Sequence, residues 1–196
     1  MAKRQAMIHL EPNEVLAILK AAKQHGSREW CMILLAYRHG LRASEVCSLR
    51  LDDIDLKGGS IKIARLKGSL QTVQALSDHT GQPLLSELKA LRQWFANRKA
   101  DGSDYLFTSA KGGKLSRIQF FRLFQAIAAD AGLPAEKQHP HCLKHSIASH
   151  LVTGNVNLAT VRQALGHKSI GSTMRYVSVS DQDASTATKQ ALMKIF

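Results

Sequence analysis

Apolar positions recur at helical spacing between short turn signals along much of the chain. Pro12 stands between Glu11 and the run Val15, Leu16, Ile18 and Leu19. Proline in a first turn forfeits no hydrogen bond, and acidic residues there suit the positive end of a helix dipole. This predicts a helix that ends near Gly26. Ser27 is read as the cap of a second helix through Trp30, Ile33, Leu34 and Tyr37, stopped by Gly40. A third begins at Arg42-Ala43-Ser44-Glu45 and turns Val46 and Leu49 inward. From Leu51 the period changes. Asp52-Asp53 and Gly58-Gly59 are turn chemistry, Ile61-Lys62-Ile63 alternates as a half-buried strand does, and Lys67-Gly68 falls in a hairpin turn before a strand through Thr72, Val73 and Leu76.

Helical spacing then returns. Gln82-Pro83 is read as the start of a helix through Leu84, Leu85, Leu88, Leu91, Trp94 and Phe95, closed by Asp101-Gly102. Tyr105-Leu106-Phe107 reads as a short strand. Ser116 caps a helix through Ile118, Phe120, Phe121, Leu123, Phe124 and Ile127, ending at Gly132. From His141, the residues Leu143, Ile147 and Leu151 repeat every four positions, which makes one buried stripe. Asn157 caps the next helix and Gly166 ends it. A polar connection from Val177 leads to a last helix, about residues 183 to 196, whose apolar side carries Ala187, Leu192, Ile195 and Phe196. The pattern predicts an α+β, mainly α chain forming a single domain over residues 1–196.

Composition narrows the partners. No run of about 18 apolar residues is present to cross a membrane, and MAKRQAMIHL lacks the apolar stretch of a secretory signal. Cys31, Cys47 and Cys142 are odd in number and far apart, which points to a reducing cytoplasm rather than a disulfide framework. The formal charge of +12, spread along the chain, is the footprint of a polyanion binder, nucleic acid first. The turn Lys111-Gly112-Gly113-Lys114 suits phosphate contact, and Arg117 and Arg122 offer further contacts from the helix that follows. Lys62 and Arg65 offer them from the hairpin.

Four groups concentrate near the C-terminal end. His141 and Lys144, three apart, share one helical face; His167 follows the helix stop at Gly166, and Tyr176 comes shortly after. Upstream, Arg42 begins a helix, where a cation is misplaced unless an anion compensates it, and Glu45 is its natural partner. His139, His141, Cys142 and His145 are zinc ligands by type, but their spacing matches no common zinc template, so no metal or other cofactor is expected.

PHCLKHSIASHL followed by LGHKSIGSTMRY resembles the C-terminal signature of the tyrosine recombinase, or phage integrase, family: His-x-x-Arg, then Gly-His, then a nucleophilic tyrosine on a short helix. HGLRASEVCSL resembles the upstream block that carries the first catalytic arginine. The resemblance covers nearly all of the chain as a catalytic domain alone, without the N-terminal DNA-clamping domain of larger members. HGLRASEVCSLRLDDIDLK is similar to the small fimbrial phase-switch recombinases.

The resemblance implies a helical catalytic domain with a small antiparallel sheet or hairpin on one side. It implies a site-specific recombinase that cleaves and rejoins double-stranded DNA through a 3′-phosphotyrosyl intermediate, without ATP or metal. Tyr176 would attack, Arg42 and Lys144 would neutralise the non-bridging oxygens, and His167 would donate to one of them. His141 would act as base or donor, Lys67 in LKGS as general acid, and Glu45 would orient Arg42. Family members work as dimers to tetramers on DNA, often docking the last helix on a neighbouring protomer, and a single domain would draw further grip from accessory DNA-bending proteins. One position departs: the family has arginine where this chain has Lys144. A guanidinium grips two phosphate oxygens as a planar fork and an ammonium is a point charge, so the expectation is reduced or altered activity. The alternative is a DNA-binding homologue with weak or no cleavage.

Overall fold

The computed structural model describes residues 7–65, 70–99, 101–109, 111–177 and 181–195. The body is organised around α2 (Ser27–Arg38), in which every residue from Glu29 to Ala36 is buried. A helix covered on all sides is central, and α2 packs against α1 (Pro12–His25), α4 (Glu87–Asn97) and α6 (His141–Thr153). Its polar edges are satisfied: Trp30 Nε1 donates to the Leu84 carbonyl at 3.0 Å, and Tyr37 Oη lies 2.9 Å from His150 Nδ1 on α6. Gly26, not Ser27, occupies the N-cap, and Ser27 is the first helical residue.

Between α3 (Ala43–Val46) and α4 the chain forms a three-stranded antiparallel sheet of β1 (Ile54–Asp55), β2 (Ser60–Ile63) and β3 (Thr72–Ala75), in that order. Ile61 faces Ile54 on one side and Gln74 on the other, and Ile61 and Ile63 point into the core. Strand β1 was not foreseen. Asp53 accepts the Arg50 amide and Asp55 accepts the Lys57 and Gly58 amides, so the acidic turn residues bend the chain on either side of a two-residue strand.

Two other expectations change. Helix α4 begins at Glu87 rather than at Gln82-Pro83: Ser86 is its cap, accepting the Lys89 amide, and Pro83–Leu85 is a separate 3-10 turn. Residues 105–107 form no strand; Tyr105 makes one bridge to Arg50, while Leu106 and Phe107 are fully buried.

Helix α5 (Arg117–Asp130) buries Phe120, Phe124, Ile127 and Ala128, one face at spacings of four, three and one. Ile118 and Phe121 lie on its other face and are 62% and 42% exposed. After α6 come α7 (Leu158–Leu165), α8 (Gly171–Met174) and α9 (Asp181–Ile195). A small apolar cluster of Ile147, Ala148, Val161 and Leu165 joins α6 to α7, and Tyr176 packs against it. Among the described residues no helix is long and apolar enough to cross a membrane.

Candidate active site

Arg42 is the N-cap residue of α3, and Glu45 reaches back to it from the third helical position. The carboxylate accepts the Arg42 amide at 2.8 Å and its guanidinium at 2.9 Å. Glu45 is buried, whereas 40% of the Arg42 side chain is exposed. Burial raises the carboxyl's affinity for a proton, but the Arg42 amide and the Arg65, Lys144 and Arg42 charges outweigh it and hold the group ionised below its usual range. A cavity of about 750 Å³ opens at Arg42, with Ser44, His139 and His141 on its wall and Arg117, Phe121 and Arg122 facing them from α5.

Beneath this cavity lies a buried floor. Lys144 is 3% exposed, and its Nζ donates to the Gly40 carbonyl at 2.8 Å and the Leu165 carbonyl at 3.2 Å. Burial, with Arg65 and Arg42 nearby, lowers its pKa to about 7, Glu45 opposing. Arg65, expected at a DNA surface, is instead buried. It donates to the carbonyls of His39 (2.8 Å), Ala164 (2.9 Å) and Gly40 (3.1 Å) and to Glu45 (3.3 Å). Those acceptors compensate the desolvated guanidinium and tie the end of β2 to the α2–α3 turn and to α7. Two glycines make room: Gly40 and Gly166 have φ of +55° and +65°, and a Cβ on Gly166 would stand 2.9 Å from Arg65 Nε.

His167, directly after Gly166, is buried with Nδ1 3.0 Å from the Thr173 hydroxyl on α8. Burial, then the charges of Lys144, Arg42 and Arg65, lowers its pKa to about 4. His141 is exposed on the cavity wall, and its pKa is also lowered, by burial and then by Lys144, His139 and Arg42. Tyr176 follows α8, its amide donating to the Thr173 carbonyl. Its hydroxyl meets His145 Nδ1 at 2.7 Å and does not line the Arg42 cavity. Burial raises the phenol's pKa, Arg175 opposing.

The structure thus brings Arg42, Glu45, Lys144, His141 and His167 into one electrostatic neighbourhood, with Tyr176 at its margin. Lys67 lies outside the described residues. Lys62, Lys111, Lys114, Arg117 and Arg122 are exposed. Lys114 and Arg117 share a hollow of about 250 Å³ with Ser44, so the basic surface continues from the Arg42 cavity along the start of α5. Among the described residues no cluster of three or more His, Cys, Asp or Glu could hold a metal ion. Cys142 points inward, its thiol donating to the Lys137 carbonyl at 3.2 Å. Sequence reasoning assigned no role to Thr173 and considered His145 only as a metal ligand. The spacing of His145, four residues after His141, was the available signal, since it places both rings on one helical face.

Residues 9–183 match the family model described as the phage integrase family. The type 1 fimbriae regulatory protein FimB of Escherichia coli (strain K12) is 37% identical over 181 residues, covering 90% of this chain and 85% of that one. FimE of the same strain is 35% identical over 184 residues, covering 91% and 87%. The crystal structure of the XerH site-specific recombinase bound to its difH substrate, a pre-cleavage complex, superposes with a TM-score of 0.77 at 25% identity, over 96% of this chain and 55% of that one. The chain belongs to the phage integrase family. It is a tyrosine-type site-specific recombinase acting on DNA, a breaking and rejoining enzyme, and its mainly helical fold with a small antiparallel sheet is that of recombinase catalytic domains.

Proposed function

We propose that Tyr176 attacks the scissile phosphate of duplex DNA seated at the Arg42 cavity, giving a 3′-phosphotyrosyl enzyme and a free 5′-hydroxyl. The observation that carries this reading is the partly exposed Arg42 side chain, its guanidinium held by a buried carboxylate at the mouth of a cavity shared with His141. A guanidinium fixed from behind is set to grip non-bridging oxygens as charge grows on them. His141 reaches the same space as donor or base. His167 is uncharged at neutral pH and its Nδ1 pairs with the Thr173 hydroxyl, so in the Nε2–H tautomer that N–H is left to donate. Lys67 protonates the leaving 5′ oxygen, and Glu45 orients Arg42. Attack by a 5′-hydroxyl then reverses the linkage and reseals the strand.

Lys144 supports a lowered rate. Two of its three N–H groups are spent on carbonyls, leaving one for phosphate where a forked guanidinium would offer a pair. The same observation favours the second reading, a DNA binder that cleaves weakly or not at all. Lys62, Lys111, Lys114, Arg117 and Arg122 contact the DNA backbone. The protein works as a dimer to tetramer on DNA in the cytoplasm, at the nucleoid, with accessory DNA-bending proteins. Its α9 presents Leu192, Met193 and Ile195, 51%, 74% and 71% exposed, to a neighbouring copy. Trapping on a nicked suicide substrate tests the reading: the wild type forms a covalent protein–DNA adduct, and Tyr176→Phe binds duplex but forms none. Adducts persisting in Tyr176→Phe refute the nucleophile, and none in the wild type leaves the binding reading in its place.

A further inference from the structure

The nucleophile and the cavity are separated by a side chain that the chemistry above does not use. His145 lies one turn after His141 on α6, and the two rings meet edge to face with centroids 4.4 Å apart. On its other side, His145 Nδ1 is 2.7 Å from Tyr176 Oη, with ring centroids 5.8 Å apart. The Tyr176 ring is braced against the apolar cluster of Ile147, Ala148, Val161 and Leu165. The phenol is therefore fixed at two points, its ring by packing and its hydroxyl by one imidazole nitrogen.

Neither partner of that hydrogen bond carries a charge at neutral pH. Burial, together with the neighbouring His141, His139, Lys144 and His9, pushes the pKa of His145 down to about 4, so the ring is uncharged at neutral pH. An uncharged imidazole has one accepting nitrogen, and the phenol, whose own pKa is raised, keeps its proton to give. In the Nε2–H tautomer the bond runs from Oη–H to Nδ1, and in either tautomer the phenol keeps its proton. It holds Tyr176 in its less nucleophilic, protonated form beside the cavity that Arg42 and His141 line.

We propose that His145 is a positioning residue that latches the Tyr176 hydroxyl next to the phosphate cavity in the DNA-free protein, so that this hydrogen bond must break before Tyr176 can attack. The proposal rests on Tyr176 being the nucleophile. It assigns His145 to the step before bond breaking rather than to proton transfer during it.

The test uses two variants of the full chain and two readouts. His145→Leu removes the acceptor; His145→Asn places an oxygen near the former Nδ1. With a suicide substrate and limiting enzyme, His145→Leu is expected to raise the second-order rate of adduct formation by about two- to tenfold, the worth of one neutral hydrogen bond. His145→Asn is expected to stay close to the wild type. The second readout is the fluorine resonance of 3-fluorotyrosine at position 176, identified by its loss in Tyr176→Phe. Adding DNA to the wild type should shift it, and His145→Leu should show a shift without DNA while His145→Asn does not.

A rate in His145→Leu equal to or below the wild type overturns the proposal, a lower rate meaning that His145 takes part in the chemistry itself. A resonance that neither DNA nor His145→Leu moves overturns it as well. If no protein forms adducts, the wild type included, the recombinase mechanism fails, and the fluorine comparison still decides whether the latch exists.

Discussion

The rim of the site and its floor use the same residue types in opposite ways. At the rim, Arg42 is tied to Glu45 with 40% of its side chain exposed, beside an exposed His141. On the floor, Arg65 and Lys144 spend their donors on backbone carbonyls and share one of them, that of Gly40. Glu45 joins the two regions, gripping Arg42 above and Arg65 below. The difference shows that residue type alone does not say whether a cation faces the cavity or holds the frame. Arg42 and His141 face the cavity, whereas Arg65 and Lys144 hold the frame and set its potential, Lys144 keeping one N–H beyond its two carbonyls.

Several substitutions would test that contrast. The largest effect is expected at the rim: Arg42→Ala should lower suicide-substrate adduct formation by about 100-fold or more, with the urea midpoint nearly unchanged because Glu45 keeps Arg65 as partner. Glu45→Ala should do the reverse in stability, costing about 3–5 kcal/mol by urea unfolding, since it leaves a buried guanidinium without its anion. A wild-type midpoint for Glu45→Ala would mean that Arg65 is not held as described.

Lys144 gives a pH signature. Its folded value of about 7 lies below that of an ordinary lysine, so folding disfavours the ammonium, and stability should rise as pH increases from 7 toward the ordinary value. The ammonium available to a phosphate fades over the same rise. Lys144→Arg stays charged throughout, so the ratio of its adduct rate to that of the wild type should grow from about pH 6 to about pH 9. A flat ratio would show that Lys144 remains charged on DNA. The smallest effects belong to the outer rim: Arg117→Ala and Arg122→Ala should each reduce the salt dependence of duplex binding by about one counterion, without altering the urea midpoint.

Much of this frame was visible in residue spacing. Of the stripe Leu143, Ile147 and Leu151, the first two are buried as its period requires and Leu151 is partly buried, and Gly40 and Gly166 stand where a helix must stop and another chain segment must approach. What stayed hidden depended on distant neighbours. Phe120 and Phe121 are adjacent and alike, but only packing against the rest of the core turns the first inward and leaves the second at the cavity. Arg65 reads as a solvent-facing hairpin residue because its acceptors come from segments as remote as Ala164. The meeting of His145 with Tyr176 spans 31 positions, and no local pattern announces it. A strand of two residues, Ile54–Asp55, is shorter than any alternation can reveal.

The Gly40 carbonyl has a consequence for how such a chain can change. Two cations converge on that single oxygen, one from just past the end of β2 and one from α6. A longer, forked side chain at position 144 would compete with Arg65 for it, so the two positions form one steric and electrostatic decision. Relatives that carry arginine at 144 are expected to carry something other than arginine at 65, and a single exchange made here should succeed best when its partner is exchanged with it.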